Sequence, residues 1–195
     1  MRTAFPNGGD WTTAIAQIKA QPGHNVFAAF ETDDAEGFLN EWNKQGMSQA
    51  GFSLYGPGFL AEQPVIDATA TSAEGATTAY FWSADLDNAE NKALVDAFPR
   101  EYIDDETGAP VQLSGYAVAM WDAMTALDLA LKQANDPKNL VIALEAVSFK
   151  SPRGAFAFDK AHNPIQDIVI RQAKIANGKL VNSIVDKLPH VADPG

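Results

Sequence analysis

Acidic side chains are the groups in this sequence whose type and spacing could do chemistry, because neighbouring carboxylates can act as general acid and base or hold a cation. One cluster, Glu31-Thr32-Asp33-Asp34, directly follows an apolar segment and precedes an amphipathic one. A second, Asp104-Asp105-Glu106, precedes Thr107-Gly108 and is typical of a solvated loop. The first cluster is therefore the better candidate for a site.

The stretch "DLDNAENKALVD" from Asp85 opens like a calcium-binding loop. Ala89 and Glu90 stand where a third oxygen ligand and the tight-turn glycine belong. We therefore interpret Asp87-Asn88 as a helix cap rather than as part of a metal site.

Motifs for other chemistries are missing from the sequence. It contains no cysteine, which excludes thiol catalysis, cysteine-ligated zinc and disulfides. It has no GxSxG, HExxH or phosphate-binding G-x-x-x-x-G-K-[ST] motif. His24, His162 and His190 are isolated and are predicted to lie in turns or in the tail. We predict no catalytic residue, no metal ligand set and no cofactor.

Composition restricts the class of protein. A chain of 195 residues with 46% hydrophobic residues predicts a packed core in one medium domain or one and a half small ones. The formal net charge of −11 argues against nucleic acid and anionic membranes as partners. No apolar run approaches the roughly 18 residues that a membrane span needs. The first residues contain no signal-peptide h-region, so the chain as written is expected in the cytoplasm unless a leader has been removed.

Strand and helix patterns alternate along the first half of the chain. Apolar stretches at 25–30, 51–58 and 76–82 predict three strands, the first of them covered on both faces as in a parallel sheet. Amphipathic spacing predicts helices after Asp10, which would be an N-cap, over 33–47, in part of 59–75 and over 88–102. This alternation predicts βαβ units and a mainly parallel sheet, hence an α/β fold.

In that arrangement the first acidic cluster opens a helix at the carboxyl end of a parallel sheet, where open α/β sheets bind ligands. One interpretation is that Thr32 or Asp33 caps the helix, while Asp34 and Glu36 complement its dipole. The other is a ligand site. The same reasoning applies to Gly56-Pro57-Gly58-Phe59, whose small residues would let a ligand approach the backbone. Spacing alone favours the capping interpretation.

The second half begins with the longest predicted helix, "GYAVAMWDAMTALDLALKQA". Asn135-Asp136-Pro137 would end it and start a short helix through Val147. Residues 148–164 are predicted to be a loop with alternating apolar residues. Residues 166–185 predict a β-hairpin around an Asn177-Gly178 type I′ turn.

These segments stand in the order found in one protein family. The stretch "DWTTAIAQIKAQPGHNVFAAFETDDAEGFLNEWNKQGM" resembles the pattern "D-[FWY]-x-x-x-[IL]-x-x-[IL]-K … V-F-x-A … D-A-x-x-F-x-x-x-x-x-x-G-[LM]". This pattern belongs to the type I periplasmic solute-binding proteins of ABC importers, in the branch that includes the leucine/isoleucine/valine-binding proteins. The resemblance continues through "GFSLYGPGFL", "AEGATTAYFW", "NAENKALVDAFPREY", "GYAVAMWDAMTALDLALKQA" and "FKSPRGAFAFDKAHNPIQDIVIRQAKIANGKLV". It covers essentially the whole chain.

The resemblance implies a Rossmann-like, three-layer α/β lobe with a mainly parallel sheet, plus extra helices from an incomplete other lobe. Family members are longer and have two such lobes, and this chain resembles their C-terminal half. Residues 3–108 and 167–190 would form the second, C-terminal ligand-binding lobe. Residues 111–160 would be helices that pack, in the family, on the sheet of the first lobe. That sheet is missing, so the chain would be a truncated member with half a ligand cleft.

By the same resemblance, the second lobe contacts the ligand through Phe30, Glu31 and Thr32 and through Gly58 and Phe59. In the amino-acid-binding members, an acidic residue of the second loop pairs with the α-ammonium group of the ligand, and Gly58 occupies that position here. Either Glu31 substitutes for it, or the ligand is an aromatic or other organic acid without an ammonium group. The resemblance also implies an ABC permease as partner and the periplasm as compartment.

The long helix carries a stripe of four apolar residues, Met120, Met124, Leu127 and Leu131, which the missing sheet would leave uncovered. An exposed apolar stripe tends to find a partner. We therefore expect a homo-oligomer, most simply a two-fold dimer, formed through the helices of residues 116–148.

Three alternatives to an importer's binding component stay open at this point. A cytoplasmic ligand sensor or regulator would share the fold, and fold alone does not separate it from an importer component. An enzyme using the acidic cluster would lack a nucleophile, a histidine base and a metal set. A remnant that binds no ligand is the third alternative.

Overall fold

The computed structural model describes residues 9–134 and 136–193, without the side chain of Thr32. These residues form two compact units. The first runs up to Tyr80 and includes Ile170–Val185, and the second comprises Phe81–Val169 and the residues from Asp186 onward. Residues 3–8 of the predicted second lobe, and Asn135, lie outside the described residues. The lobe boundaries at 3–108, 111–160 and 167–190 stay a prediction.

The first unit alternates helices and strands. Its elements are α1 Trp11–Lys19, β1 Asn25–Phe27, α2 Thr32–Lys44, β2 Ser53–Pro57, a 3-10 turn Gly58–Ala61, α3 Gln63–Thr69 and β3 Thr77–Tyr80. β1 pairs in parallel with β2, and β2 in parallel with β3. Next to β3 lies β6, Pro164–Ala176, which pairs with β7, Lys179–Val191. The predicted α/β fold with a mainly parallel open sheet is confirmed.

The core of the first unit follows from the amphipathic spacing of its helices. On α2, Phe38, Leu39 and Trp42 are buried, as the helical pattern predicts. Ile15 of α1 joins the same cluster. The predicted N-cap of α1 is also confirmed, since a carboxylate oxygen of Asp10 accepts from the Thr13 amide at 3.1 Å.

The first strand departs from its prediction. β1 has only three residues, and Phe27 at its end is 72% exposed, so a strand covered on both faces is wrong. The reason is its position, because among the described strands β1 lies at the edge of the sheet and borders only β2. Composition cannot distinguish an apolar edge strand from an apolar central strand.

The second unit contains most of the helices that follow β3. Its elements are α4 Ala89–Glu101, α5 Gly115–Gln133, a 3-10 turn Pro137–Asn139, α6 Leu140–Glu145, β4 Ser148–Ser151 and β5 Gly154–Phe158. Asn88 caps α4, because its side-chain oxygen accepts from the Asn91 amide at 2.7 Å. The structure therefore agrees with the helix-cap interpretation of Asp87-Asn88.

The loop predicted over residues 148–164 is wrong. β4 and β5 form an antiparallel hairpin, in which Phe149 pairs with Phe156 and Ser151 with Gly154, and β5 pairs in turn with β6. Gly154 has a φ of 113°, a conformation that favours glycine and lets the chain reverse at once. The alternation of apolar residues was the correct strand signal.

The hairpin of β6 and β7 is confirmed, and it is longer than predicted. Its turn residues Asn177 and Gly178 have φ values of 51° and 77°, and two successive positive values define the type I′ turn. None of the helices among the described residues is both long and apolar enough to cross a membrane.

Candidate ligand-binding site

Two turns meet at the carboxyl ends of β1 and β2 in the first unit. The strand register pairs Phe27 with Tyr55, and the Ala28 amide donates to the Tyr55 carbonyl at 2.9 Å. The next residue of β2, Gly56, has to be small, because a Cβ atom there would lie 2.5 Å from the Ala28 carbonyl oxygen. The turns at 28–31 and 56–59 are therefore held side by side.

Phe30 supplies an aromatic ring to the first turn. It is half-buried, and its ring centroid lies 5.0 Å from that of Trp11 and 5.2 Å from that of Phe38. The contact with Trp11 is edge-to-face, a favourable arrangement for aromatic pairs. Gly37 makes room for the indole, because a Cβ there would lie 2.4 Å from the Trp11 ring nitrogen. The orientation of Phe30 is thus fixed by neighbours on α1 and α2.

Glu31 is the residue at the start of α2. It is exposed, has an extended backbone and makes no capping hydrogen bond with its side chain, and α2 begins at Thr32. The prediction that Thr32 or Asp33 is the cap is therefore wrong. Asp33 and Asp34 lie in the first helical turn, where negative charge complements the helix dipole, and this role was predicted for Asp34.

Gly58 begins the second turn and is buried against an aromatic ring. A Cβ atom on Gly58 would lie 2.1 Å from Cγ of Tyr80, far inside contact distance. Tyr80 itself is buried at the end of β3. The turn continues into Phe59, which is half-buried. A side chain of any kind at position 58 would have to displace the ring of Tyr80.

A buried arginine lies behind this turn, and the sequence analysis missed it. Arg171 of β6 is 2% exposed, and its Nη2 donates to the Gly58 carbonyl at 2.9 Å. Its Nη1 donates to Glu62 Oε1 at 3.4 Å, and its guanidinium carbon lies 4.7 Å from the centroid of Tyr80. Burial lowers the pKa of Arg171, and the charge of Glu62 opposes that effect.

A sequence signal for Arg171 did exist. In the strand pattern "DIVIRQAKIA", Val169, Arg171 and Ala173 alternate with less buried residues, and all three are buried. Strand periodicity therefore places Arg171 on the inward face. A charged residue there requires a buried partner, although the sequence does not say which acid provides it.

Of the predicted ligand residues, Phe30 and Glu31 lie on one of the paired turns and Gly58 and Phe59 on the other. The backbone of Thr32 opens α2, and its side chain lies outside the described structure. The site offers aromatic surface, an exposed carboxylate and backbone groups at a sheet edge. Within residues 9–134 and 136–193, no group of three or more His, Asp or Glu side chains is arranged to hold a metal ion.

Comparison with known proteins gives one family. The family model for periplasmic binding proteins matches residues 2–179. The solute-binding protein of an ABC transporter from R. palustris, solved in complex with benzoate, is 34% identical with a TM-score of 0.80. This chain is covered to 98% in that comparison and the other chain to 50%. A comparison with curated proteins finds no match.

Two further solved structures are similar. A solute-binding protein from Rhodopseudomonas palustris BisB5, in complex with 3,4-dihydroxy benzoic acid, is 25% identical with a TM-score of 0.81, over 95% of this chain and 50% of that one. A branched-chain amino acid transporter substrate-binding protein from Streptococcus pneumoniae, in complex with isoleucine, is 20% identical, which shows the fold alone. Its TM-score is 0.73, over 94% of this chain and 51% of the other. The chain spans about half the length of each relative.

Proposed function

The chain belongs to the family of periplasmic binding proteins, as its resemblance implied, and on this premise we propose that it forms one wall of a binding site for a small organic acid. The wall consists of Phe30, Glu31 and Thr32 on one turn and Gly58 and Phe59 on the other. The ligand is a carboxylic acid without an α-ammonium group, of the aromatic kind that the two R. palustris relatives hold.

The close packing of the Tyr80 ring against Gly58 is the observation that supports this class of ligand. Recognition of an α-amino acid at position 58 would need a carboxylate there, and the Tyr80 ring leaves no room for one, since a Cβ would lie 2.1 Å from it. Unpaired burial of an ammonium group is costly. An acid with an aromatic body avoids that cost and gains contact with the rings of Phe30 and Phe59.

Glu31 is the group that favours a different ligand. Its carboxylate is exposed at the same sheet edge and could pair with an ammonium group. An exposed ion pair contributes only about 0–1 kcal/mol. We therefore expect Glu31 to weaken the binding of anionic ligands slightly rather than to select amino acids.

The biological role we propose is that of the substrate-binding component of an ABC importer in the periplasm. The family consists of substrate-binding proteins rather than enzymes, and we propose no catalytic step for this chain. An ABC permease is the proposed protein partner.

Ligand-observed NMR by saturation transfer tests the proposal, because this method detects weak binding. Benzoate, 4-hydroxybenzoate and isoleucine are each added to the full chain. We expect a saturation-transfer signal from each of the two aromatic acids and little signal from isoleucine. Since one wall buries only part of a ligand, we expect a Kd of about 1 mM, which corresponds to about −4 kcal/mol.

Two variants make the test specific to the site. Phe59→Ala should reduce the saturation of benzoate, because it removes one aromatic surface of the wall. Tyr102→Ala, which removes an exposed ring from the second unit, is the matched control and should leave it unchanged. Absence of saturation for every ligand would refute the proposed function, and stronger saturation of isoleucine would refute the ligand class.

A further inference from the structure

The turn that carries Phe59 is otherwise buried. It comprises Gly58–Ala61, and Phe59 is its one half-buried residue. The other members of the turn are buried, and so is Glu62 directly after it. Leu60 packs towards the sheet, because a Cβ atom on Gly56 would lie 2.5 Å from its Cδ2. The place of the Phe59 ring therefore depends on how firmly the backbone of this turn is held.

Arg171 contacts both ends of the turn from behind. At the start, its Nη2 donates to the Gly58 carbonyl at 2.9 Å. At the end, its Nη1 forms an ion pair with Oε1 of Glu62 at 3.4 Å. A guanidinium group is a planar fork with several donors, so it can contact two groups at once. One side chain thus bridges the two ends of the turn.

The guanidinium group is itself held in place. Its central carbon lies 4.7 Å from the centroid of the Tyr80 ring, a favourable cation–π distance. Two residues further along β6, the Ala173 amide donates to the Ala76 carbonyl, and the Ala173 carbonyl accepts from the Gly75 amide, both at 2.9 Å. These bonds tie β6 to the segment before β3. A strand of the sheet and a buried ring therefore present the guanidinium to the turn.

Other contacts with the β6–β7 hairpin are made at the end of the turn. Asn182 of β7 donates through its side chain to the Ala61 carbonyl. The side chain of Gln63 donates to the Leu180 carbonyl at 3.4 Å. Arg171 differs from both, because it also reaches the start of the turn, directly before Phe59.

We propose that Arg171 is a positioning residue that fixes the turn carrying Phe59, and the relevance of this role to ligand binding rests on the proposed function. A buried ion pair is often no more stable than apolar side chains of similar volume, so stability alone does not account for a cation here. The acceptors at the two ends of the turn do account for it. Arg171 touches no ligand in this role and acts through Phe59.

Loss of the guanidinium group should release the turn at its start. The buried Gly58 carbonyl would lose this donor, and Glu62 would lose the cation that balances its charge. The end of the turn would keep its contact with Asn182, and the parallel strands would keep their register. The expected effect is therefore local, confined to residues 58–62.

Hydrogen exchange measured by mass spectrometry on the full chain tests this role without any ligand. Arg171→Met should raise the exchange rate of amides within 58–62 about tenfold, as expected for the loss of one buried hydrogen bond. Peptides from β1 and α2 should exchange as before. Lys174→Met is the matched control, since Lys174 is exposed on the same strand, and it should change nothing at 58–62.

Two further variants separate the contacts of the guanidinium group. Arg171→Lys keeps the charge, but an ammonium group is a point charge on one stem and does not bridge both ends of the turn. Its exchange rate at 58–62 should lie between those of the original chain and Arg171→Met. The double variant Arg171→Met/Glu62→Gln removes the buried carboxylate together with the cation. It should still exchange faster at 58–62, because the Gly58 carbonyl still lacks its donor. Circular dichroism checks that each variant is folded.

Several outcomes would overturn the proposal. Unchanged exchange at 58–62 in Arg171→Met would show that the turn holds its place without the guanidinium. Full protection in Arg171→Lys would show that charge alone suffices and that the fork does not matter. A uniform rise over the whole first unit would indicate a general structural role, and so would failure of both Arg171→Met and the double variant to fold.

The saturation-transfer signal of benzoate is measured in parallel and connects the turn to the ligand. It should fall in Arg171→Met, as it should in Phe59→Ala, and stay unchanged in Lys174→Met. If the original chain gives no signal with any ligand while the exchange result is as expected, the proposed function fails and the positioning role stands. If benzoate gives a signal that Arg171→Met leaves intact and exchange at 58–62 is unchanged, the positioning role fails and the proposed function stands.

Discussion

The ring of Tyr80 occupies the space that a side chain on Gly58 would need. A Cβ atom at Gly58 would lie 2.1 Å from Cγ and 2.2 Å from Cδ2 of that ring. Both residues are buried, so neither can move into solvent. The pair therefore fixes the residue type at position 58 through packing, independently of any ligand.

The substitution Gly58→Ala tests this packing directly. The added methyl group forces the Tyr80 ring out of its packing, and overpacking of this kind typically costs about 1–3 kcal/mol. We expect the upper part of that range, measured as the free energy of unfolding in urea. Gly23→Ala is the matched control, because nothing lies within 4 Å of a Cβ atom at Gly23, and it should be neutral.

A double-mutant cycle separates the clash from other effects of the substitution. In a Tyr80→Ala background, the methyl group at position 58 has room. Gly58→Ala should then cost less than about 1 kcal/mol. The double variant should therefore be more stable than the sum of the two single changes predicts. Equal costs in the two backgrounds would contradict the assignment of the clash to the Tyr80 ring.

Asn91 is expected to be one of the most sensitive positions of the second unit. It is fully buried; its Oδ1 accepts from the indole of Trp82 at 2.7 Å, and its Nδ2 donates to the carbonyls of Ala84 and Leu86 at 3.0 Å. Asn91→Ala removes a hydrogen-bond partner from the Trp82 indole and from the two carbonyl groups. We expect the free energy of unfolding in urea to fall by about 2–4 kcal/mol.

Asn43→Ala is the control for the loss of an asparagine side chain. Asn43 is exposed on α2, so its replacement should be neutral or slightly stabilising, because alanine favours helices. A cost of less than about 1 kcal/mol for Asn91→Ala would show that water replaces the lost hydrogen bonds.

The sequence predicted those elements whose signals are local. The cap at Asp10, the start of a helix at the acidic cluster and the Asn177-Gly178 turn each depend on a few neighbouring residues, and all three occur in the structure. Their physical causes are hydrogen bonds and backbone conformations within one turn of chain.

What could not be predicted depends on contacts between distant segments. Gly58, Tyr80 and Arg171 meet although more than a hundred residues separate the first from the last. Arg171 was missed; strand periodicity puts it on an inward face, but no local pattern indicates which segment it faces. The β4–β5 hairpin was missed because a short alternating segment next to Pro and Gly resembles a loop when its pairing partner is unknown.

Gly178→Ala tests the type I′ turn of the long hairpin. Gly178 has a φ of 77°, which is strained for alanine, whereas Asn177 at 51° is one of the few residue types that tolerate it. We expect a loss of about 1 kcal/mol for Gly178→Ala and a near-neutral effect for Asn177→Gly. Thermal unfolding measures both. A neutral Gly178→Ala would indicate that the turn can adopt another type at no cost.

The pH dependence of stability should report on Asp122. Its Oδ2 accepts from the Arg153 Nε at 2.6 Å and from the Ser151 hydroxyl at 2.8 Å, and the side chain is almost completely buried. Burial raises the pKa of Asp122, against the opposing effects of Ser151 and Arg153. A raised pKa means that the folded state holds the proton more tightly than the unfolded state does. The contribution to stability is therefore fully present below the unfolded pKa of about 3.9 and is lost as pH rises through the folded value.

Asp122→Asn removes this titration and leaves Arg153 buried without its charged partner. The loss should stay below the about 3 kcal/mol that is typical of a broken buried ion pair, because the raised pKa means that the folded state favours the neutral carboxyl over the carboxylate. The free energy of unfolding of the original chain should rise relative to that of the variant when the pH falls from about 7 to about 4, near the unfolded pKa, since only the original chain gains stability from protonation of Asp122. Asp128→Asn makes the same charge change at an exposed position of α5 and is the matched control. Urea unfolding at both pH values measures the difference in free energy of unfolding between the original chain and each of the two variants. An equal pH dependence in the original chain and in Asp122→Asn would mean that Arg153 keeps the carboxylate ionised throughout, so that pairing rather than burial sets its protonation.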